Sequence, residues 1–419
     1  MSSHLYLRPK WQGEGTSFTL LGRLRSSSTA MMLIASTALW LLCYQYLSIY
    51  SARDPTSYFF NTEKGYRRMY SKEREAEAHE YIARFNKSEV SQPAKSSIHP
   101  GLCVGIATIA RPSEQYVIGT IGSLLEGLSK KDRDSIHLIT FIAHTDPTAH
   151  PIYDQPWTQA VSDEVLTYDI PDADLQRLKL YEDDHHPRNK SMYDYGYLLR
   201  RCLQTGAPYV AIIEDDTIAR EGWFKYGMAA VLEAANRAAA ARWLYLRMFY
   251  TESLFGWNSE YWPTYMIVSI LVCAAAYALI NTVGTRVNVL RTRMARTDPM
   301  IFSLICVPAF IALYFMAGRV TVRPWKAGVN PMPRFGCCSQ GFIFPQAIVP
   351  EIIERTDQAM DEDLYIDMLL ERHAEKAGLL RFAQVPSLLQ HVGSKSSKGG
   401  GYDEHAGEIF NFAFEEKPP

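Results

Sequence analysis

The chain has 419 residues, of which 47% are hydrophobic and 21% are charged. This composition excludes a largely disordered, collagen-like or low-complexity protein, and the length suits two ordinary domains or one domain with membrane attachments. Lysine and arginine number 43 against 45 aspartate and glutamate residues, so no global basic field indicates a nucleic-acid partner. The mean hydropathy of −0.14 is too polar for a polytopic transporter. We therefore expect a folded protein with a few membrane helices.

Three apolar blocks stand out from this average, at residues 30–49, 264–281 and 300–318. A bilayer core needs roughly 17–25 mostly apolar residues, so each block is long enough to cross a membrane. We predict a signal anchor after a tail at residues 1–29, and a hairpin of two further spans joined by a loop at residues 282–299. A buried core helix is the alternative for each block.

Basic residues orient the chain in the membrane. They precede the first block and lie between the second and the third: Arg8, Lys10, Arg23, Arg25, Arg286, Arg291, Arg293 and Arg296. Because short cytosolic loops carry an excess of lysine and arginine, both regions are expected in the cytosol. The two long polar segments then lie in the lumen of the secretory pathway, and the protein is multi-pass.

A lumenal location is oxidising, which allows disulfides. Four cysteines fall in the lumenal segments, enough for one or two disulfides whose pairing the sequence leaves open: Cys103, Cys202, Cys337 and Cys338. Asn86 and Asn189 each begin a glycosylation sequon. Asn86 is a plausible acceptor, whereas Asn189 lies inside a cluster of cations described below and is not expected to carry a glycan.

Residues 50–100 are polar and rich in serine, with a charged helical stretch at residues 71–85, as expected of a stem that lifts a domain off the membrane. Beyond them apolar runs typical of buried strands alternate with helical patterns. The strands are predicted at residues 102–109, 136–144, 164–170 and 209–213, and the helices at residues 113–128 and 192–205. This alternation predicts an α/β fold with a mostly parallel sheet.

The predicted hairpin at residues 263–319 interrupts this fold. Neither residues 101–262 nor residues 320–419 obviously form a closed domain alone, whereas together they make a domain of ordinary size. We therefore predict one α/β domain with a membrane hairpin inserted into it.

Three consecutive acids, Glu214, Asp215 and Asp216, end the apolar run at residues 209–213. Open α/β sheets bind their ligands beyond the carboxyl ends of the strands. Carboxylates gathered there would repel one another unless a hard divalent cation joined them to phosphate oxygens. N-capping of a helix is the alternative role. The acidic triplet thus predicts a metal-dependent site for a phosphorylated ligand.

Arg188 and Lys190 are cations suited to a diphosphate, and Asp194 lies one helical turn beyond Lys190. An exposed ion pair at the start of a helix is the alternative. Farther along, a helix is expected to open at Asp361 and to place Asp363 and Asp367 on one face. One of these two acids is a candidate general base, and compensation of the helix dipole is the alternative.

His391 lies between an apolar run and a Gly/Ser/Lys-rich stretch that contains Lys395 and Lys398. A lone histidine is usually structural. Here the neighbouring lysines favour a loop that closes over a phosphate.

Taken in order, these motifs resemble those of GT-A glycosyltransferases. The matching segments are Val104–Thr108 with Arg111 and Tyr116, residues 188–195, the acidic triplet and residues 390–397. The combination is similar to the β-1,4-N-acetylglucosaminyltransferases that branch N-glycans, which have one anchor and no hairpin. The hairpin, together with residues 334–345, more closely resembles the Golgi GPI-glycan N-acetylgalactosaminyltransferases of the post-GPI-attachment group.

That resemblance implies an inverting enzyme that transfers GalNAc from UDP-GalNAc to the first mannose of a GPI anchor, on the free glycolipid or on GPI-anchored proteins. It implies a Golgi membrane protein with a lumenal catalytic domain. Asp215, Asp216 and His391 are then the expected ligands of Mn²⁺. Donor contacts are expected from Thr108, Arg111, Tyr116, Arg188, Lys190, Asp194, Glu214, Asp215, His391 and Lys395.

Several questions stay open at this level. The sequence does not choose between Asp363 and Asp367 as the base, nor between GalNAc and GlcNAc as the donor sugar. Another membrane-anchored glycosyltransferase and a non-catalytic lumenal scaffold are the alternative functions. A transporter is disfavoured because the three apolar blocks contain no ionisable residue that would mark a pathway.

Overall fold

The computed structural model of the chain describes residues 28–87, 100–112, 114–184, 186–287, 297–332, 336–393 and 409–416. The chain divides into two compact units. The membrane unit comprises Met1–Ala52, Ser57–Phe59 and Trp257–Val322. The sheet unit comprises Arg53–Thr56, Phe60–Gly256 and Arg323–Pro419.

Helices occur in both units. In chain order, those in the described ranges are α1 (Ser28–Tyr50), α2 (Thr62–Gly65), α3 (Tyr70–Lys87), α4 (Val117–Leu125), α5 (Lys130–Asp134), α6 (Pro156–Val161), α7 (Asp172–Asp183), α8 (Pro187–Gln204), α9 (Trp223–Ala238), α10 (Trp262–Arg286), α11 (Asp298–Ile301), α12 (Val307–Met316), α13 (Arg319–Val322), α14 (Val349–Gln358) and α15 (Ile366–Ala377). A π-helical turn, Phe302–Cys306, joins α11 to α12. Helix α8 begins earlier than the predicted residue 192 because Pro187 suits the first helical position, where a backbone N–H would have no partner.

Within the described residues of the membrane unit, three helical stretches are long and apolar enough to span a bilayer: α1, α10 and Asp298–Met316. They agree with the three predicted spans, and the chain is a membrane protein. Polar contacts also join the first helix to the third. Thr29 Oγ1 donates to Asp298 Oδ1, and the Trp40 indole N–H donates to the Ala309 carbonyl at 2.9 Å. The anchor therefore packs with the hairpin in one bundle. Residues 288–296 of the predicted cytosolic loop lie outside the described ranges.

The sheet unit is built on an eight-stranded sheet in the order β3-β2-β1-β4-β8-β6-β9-β7, with β5 and β10 forming a separate antiparallel pair among the described residues. The strands are β1 (Leu102–Thr108), β2 (Ile136–Ile142), β3 (Glu164–Leu166), β4 (Tyr209–Glu214), β5 (Thr217–Ala219), β6 (Trp243–Arg247), β7 (Gly328–Pro331), β8 (Gly341–Pro345), β9 (Leu380–Val385) and β10 (Leu389–His391).

Strands β1 to β4 are parallel to one another, whereas β8 is antiparallel to both β4 and β6. Strand β6 is parallel to β9, so most of the sheet runs in one direction. The predicted mostly parallel α/β architecture, consistent with a GT-A-like fold, is confirmed. Strands β7, β8 and β9 come from the chain after the hairpin, and two of them pair with strands from before it: β8 with β4 and β6, and β9 with β6. The two parts of the chain therefore build one sheet, as predicted.

The core of this sheet includes the apolar runs from which β1, β2 and β4 were predicted, together with residues of β6, β7, β8 and β9, which were not predicted. Six of the seven residues of β1 and the four central residues of β4 are buried, because helices cover both faces of the parallel part. Gly105 in β1 allows α8 to approach closely, since a Cβ there would lie 2.7 Å from Leu198 Cγ. A disulfide between Cys103 and Cys202 joins the same strand and helix. A second disulfide joins the adjacent residues Cys337 and Cys338.

The region predicted as a stem differs from that expectation. Helix α3 packs on α4 as part of the sheet unit, with Ala78 fully buried and Arg74 paired with Glu126 at 2.6 Å. The amphipathic pattern of α3 is that of a helix covering a core rather than of a solvated spacer. Residues 88–99 and the side chain of Asn86 lie outside the described part of the chain.

Candidate functional site

The candidate site lies where β1 and β4 end side by side. Their parallel register pairs Ala107 with Glu214, so Thr108 and the acidic triplet lie at one edge of the sheet. The chain then turns directly into β5, and β10 pairs with β5 so that His391 faces Thr217. This pairing brings a histidine from the end of the chain beside Asp216.

Asp215 is fully engaged by its neighbours. The Arg111 guanidinium donates one hydrogen bond to each carboxylate oxygen of Asp215, both at 2.7 Å, and Thr108 Oγ1 donates to Oδ2 at 2.6 Å. Arg111 also lies 3.4 Å from Asp216 Oδ2, and its charge stands over the Tyr116 ring at 5.2 Å. Burial alone would lower the pKa of Arg111, but Asp215 and Asp216 raise it above the ordinary value, so the guanidinium stays charged.

Asp216 is differently placed. Its Oδ2 atom lies 3.6 Å from His391 Nε2, and its buried Oδ1 atom has no hydrogen-bond partner among the described residues. Burial would raise the pKa of Asp216, but His391 and then Arg111 lower it to about 2. A Cβ at position 393 would lie 2.5 Å from Asp216 Oδ2 and 3.0 Å from His391 Nε2, so only Gly393 leaves this space open.

These atoms fit a divalent cation held jointly by protein and ligand. Asp216 supplies a carboxylate oxygen that lacks a partner, and His391 supplies an imidazole nitrogen, a mixed oxygen and nitrogen donor set that Mn²⁺ accepts. In the described part of the chain, no group of three or more His, Cys, Asp or Glu side chains is arranged to hold a metal. A cation here would therefore take its other ligands from a bound ligand and from water. Asp215 reaches Arg111 with both oxygens, so Asp216 and His391 are the better candidates.

A short loop connects the acidic triplet to Asp367. Ser339 Oγ donates to Glu214 Oε1, and the backbone N–H of Cys338 donates to Asp367 Oδ2 at 2.9 Å. The Glu214 N–H donates to the carbonyl of Gln340, the last residue of this loop (residues 336–340), at 3.0 Å. Two consecutive residues thus link Glu214 and Asp367.

Arg247 holds this loop through hydrogen bonds to its backbone carbonyls. This residue was not identified from the sequence. Its guanidinium is fully buried, donates to the carbonyls of Gly336, Cys337 and Cys338, and pairs with Glu371 at 2.9 Å. Its charge also lies over the Phe342 ring at 4.7 Å. One signal was available: Arg247 ends the apolar strand β6, just as Glu214 ends β4.

The expectation that Asp363 and Asp367 share one face of a helix is wrong. Helix α15 begins only at Ile366, and Asp363 has a φ of +48°, outside any right-handed helix. Asp363 is exposed and pairs with Arg188 at 2.9 Å, whereas Asp367 lies in the first turn and accepts hydrogen bonds from the N–H groups of Cys338 and Met368. The two candidate bases therefore have different surroundings.

The two predicted cations, Arg188 and Lys190, also have different surroundings. Arg188 turns toward Asp363 and the Tyr365 ring, 4.4 Å away. Lys190 is buried and donates to the Ala143 carbonyl at 2.6 Å, to the Tyr168 hydroxyl at 2.9 Å and to Asp194 at 3.0 Å. The predicted Lys190–Asp194 pair thus exists, but it is internal. To bind a diphosphate, Lys190 would have to exchange one of these partners.

Two further predictions can be placed. Asn189 is buried and its amide oxygen accepts a hydrogen bond from the Asp363 N–H at 3.1 Å, which leaves no room for a glycan. Lys395 lies outside the described residues. Thr108, Arg111, Tyr116, Asp215, Asp216 and His391 form one cluster, and their role in donor binding stays a prediction.

A family model described as GPI-N-acetylgalactosamine transferase PGAP4 matches residues 102–390, well over half of the chain. A comparison with curated proteins finds no match. The matched residues begin at β1 and end at Gln390 within β10, one residue before His391, so they include β1, β4 and β5 and both sides of the membrane hairpin.

Proposed function

The chain belongs to the GPI-N-acetylgalactosamine transferase family, and on that premise we propose that it transfers GalNAc from UDP-GalNAc to the first mannose of a GPI glycan, with inversion. The observation that carries the proposal is the Asp216–His391 pair beyond the end of β4, with one carboxylate oxygen left without a partner. Such a pair beside a cationic arginine suits a sugar nucleotide, whose diphosphate must be bound and then released.

The donor side of the reaction depends on neutralising the diphosphate. A cation such as Mn²⁺, held by Asp216 and His391, would stabilise the negative charge that develops on the leaving UDP. Arg111 holds Asp215 by two parallel hydrogen bonds, and this bidentate pair fixes the turn in which Asp216 lies. Thr108 and Arg111 thus keep the acidic triplet in place before the donor binds.

On the acceptor side, Asp367 is the base that the geometry favours. Asp363 is neutralised by Arg188 and faces solvent, whereas Asp367 is held by the loop that also contacts Glu214. An Asp367 carboxylate oxygen would take the proton of the mannose hydroxyl while the hydroxyl oxygen attacks the anomeric carbon of GalNAc. The bond from this carbon to the diphosphate breaks at the same time, and UDP leaves with the electron pair.

A membrane-borne acceptor fits the connectivity of the chain. The chain passes from the sheet unit into the membrane unit at residues 256–257 and returns to the sheet unit at residues 322–323. The two spans of this hairpin add to the N-terminal anchor. A GPI anchor lies in the same bilayer, so attachment by three spans raises the effective concentration of enzyme and acceptor for each other. The Golgi location is the one that the family resemblance implies. We propose that the sheet unit lies on the lumenal side of the membrane, because the basic residues before the first span and between the other two favour the cytosol.

The test is transfer by the purified full chain in lipid nanodiscs that contain a GPI-anchored acceptor. We expect transfer from UDP-GalNAc rather than UDP-GlcNAc, loss of transfer with EDTA, and recovery with Mn²⁺. Asp216→Asn should lower the rate by roughly 10²-fold or more, because electrostatic stabilisation of a developing charge is worth that much. Asp154→Asn, at an exposed acid of the same unit, is the matched control. Full activity in EDTA, or transfer to N-glycans alone, would overturn the proposal.

A further inference from the structure

Residues Ile409–Glu416 return to the candidate site from the end of the chain, and we call them the C-terminal brace. We propose that the C-terminal brace orients His391 as a metal ligand and links it to helix α3. This inference rests on the proposed metal-binding role of His391. It concerns positioning residues, which act on the site through His391 and have no assigned contact with the substrate.

The first step is the orientation of the imidazole ring. His391 Nδ1 lies 3.0 Å from the carbonyl oxygen of Ile409. A carbonyl can only accept a hydrogen bond, so Nδ1 carries the proton. In the neutral ring the lone pair is then on Nε2, the atom that faces Asp216. Histidines that bind metals commonly donate their second ring N–H to a carbonyl or carboxylate, which fixes the ring and its tautomer.

The second step is the attachment of the C-terminal brace beside β10. The side-chain amide of Gln390, the neighbour of His391, makes two hydrogen bonds with the backbone of Asn411. Its amide nitrogen donates to the Asn411 carbonyl at 2.8 Å, and its amide oxygen accepts from the Asn411 N–H at 2.9 Å. The Asn411 side chain in turn donates to the Tyr250 carbonyl at 2.8 Å. Both Gln390 and Asn411 are fully buried, so these bonds are shielded from water.

The third step involves two buried glutamates whose partners are mainly backbone N–H groups. Glu252 accepts from the N–H groups of Phe412 and Ala413, each at 2.9 Å. Glu415 Oε2 accepts from the N–H groups of Met69 and Ser71, at the start of α3, and its Oε1 accepts from Gln390. Burying a carboxylate is costly unless hydrogen bonds compensate, so these two acids hold the C-terminal brace in one position.

Together these contacts form a continuous path from α3 through Glu415 and Gln390 to His391. Glu415→Gln tests this path with almost no change in size. Both Glu415 oxygens accept hydrogen bonds, so the NH₂ group of a glutamine here would face another donor in either orientation of the amide. In one orientation it faces the backbone N–H groups of Met69 and Ser71, and in the other it faces the Gln390 amide nitrogen. The exposed neighbour Glu416 allows a matched control, Glu416→Gln.

The readout is Mn²⁺ binding to the solubilised full chain in the presence of UDP, measured by electron paramagnetic resonance. Changes to residues that orient a metal ligand typically weaken metal binding 10- to 100-fold. We expect a loss of about that size for Glu415→Gln and wild-type affinity for Glu416→Gln. Circular dichroism at the same temperature checks that each variant is folded. Asn411→Ser, which removes the bond to Tyr250, gives the same test should Glu415→Gln fail to fold.

Two negative results can be told apart. If the wild-type chain binds no Mn²⁺, or if His391→Ala binds it as tightly as the wild type, the proposed metal site is wrong. If His391→Ala weakens binding while folded Glu415→Gln and Asn411→Ser variants keep wild-type affinity, the metal site stands and the role of the C-terminal brace is overturned.

Discussion

Asp216 Oδ2 and His391 Nε2 lie 3.6 Å apart because the antiparallel pairing of β5 with β10 sets His391 opposite Thr217. The two residues come from the two parts of the sheet unit's sequence, one before and one after the membrane hairpin. Neither strand of this pair is longer than three residues, so the contact depends on the surrounding fold.

From this pair we predict that His391→Ala raises the Mn²⁺ concentration needed for half-maximal transfer by 10- to 100-fold, the usual effect of perturbing a metal site. The measurement is the transfer rate across a Mn²⁺ titration at saturating UDP-GalNAc. His79→Ala, at an exposed histidine of α3, should leave the titration unchanged. An unaltered Mn²⁺ dependence in His391→Ala would remove His391 from the set of ligands.

The second prediction separates the two candidate bases. Asp367→Asn should lower kcat by about 10²–10⁴-fold, the range that general base catalysis contributes, with little change in donor KM. Asp363→Asn should stay within a few-fold of the wild type, because it removes only an exposed pair with Arg188. Steady-state kinetics on both variants decide the matter, and the reverse ranking would identify Asp363 as the base.

The third prediction concerns the support of the loop at Gly336–Gln340. Arg247→Lys keeps the charge, but an ammonium group cannot reach three carbonyls and Glu371 in the planar arrangement of a guanidinium. We expect kcat to fall, by up to about 10²-fold, because the loop that positions Asp367 shifts. The exposed Arg237→Lys is the control. Wild-type kcat in a folded Arg247→Lys protein would show that the loop needs no such support.

The fourth prediction is a pH dependence of stability. Burial, together with the nearby His144 and Arg111 charges, lowers the pKa of His150 to about 4, and its Nε2 lies 3.1 Å from Thr108 Oγ1. Because the folded-state pKa lies below the ordinary value of 6.5, this neutral histidine stabilises the fold above about pH 6.5. The stabilisation is lost as the pH falls through about 4.

Thermal unfolding between pH 7 and pH 4 tests this linkage. We expect the wild-type unfolding temperature to fall over that range, and His150→Gln, which cannot take up a proton, to show a fall smaller by a few degrees. Parallel curves for the two proteins would mean that other groups carry the acid sensitivity.

The fifth prediction concerns topology. An epitope inserted into the loop at residues 288–296 should be digested by protease added to sealed Golgi vesicles, since the arginines of that loop favour the cytosol. An epitope at the carboxyl terminus should be protected until detergent is added. Protection of the loop epitope would reverse the proposed orientation of the chain.

Local patterns in the sequence determined much of this protein. The long apolar blocks predicted three spans, and the apolar runs ending at Thr108 and Glu214 predicted parallel strands whose ends carry the site. Such features depend on neighbouring residues, because a helix or a buried strand needs its apolar side chains at regular spacing. The acidic triplet could be found for the same reason.

Tertiary structure alone decided which distant residues meet. The pairing of Cys103 with Cys202, the docking of α3 on α4 and the burial of Lys190 all follow from how helices pack on the sheet. Helix α15 begins only at Ile366, so Asp363 lies in the preceding loop and Asp367 in the helix. Arg247 and the C-terminal brace serve the site through backbone carbonyls and N–H groups, which every residue possesses. The order of side chains therefore carries no signal for those contacts, and only the folded chain brings their partners within hydrogen-bonding distance.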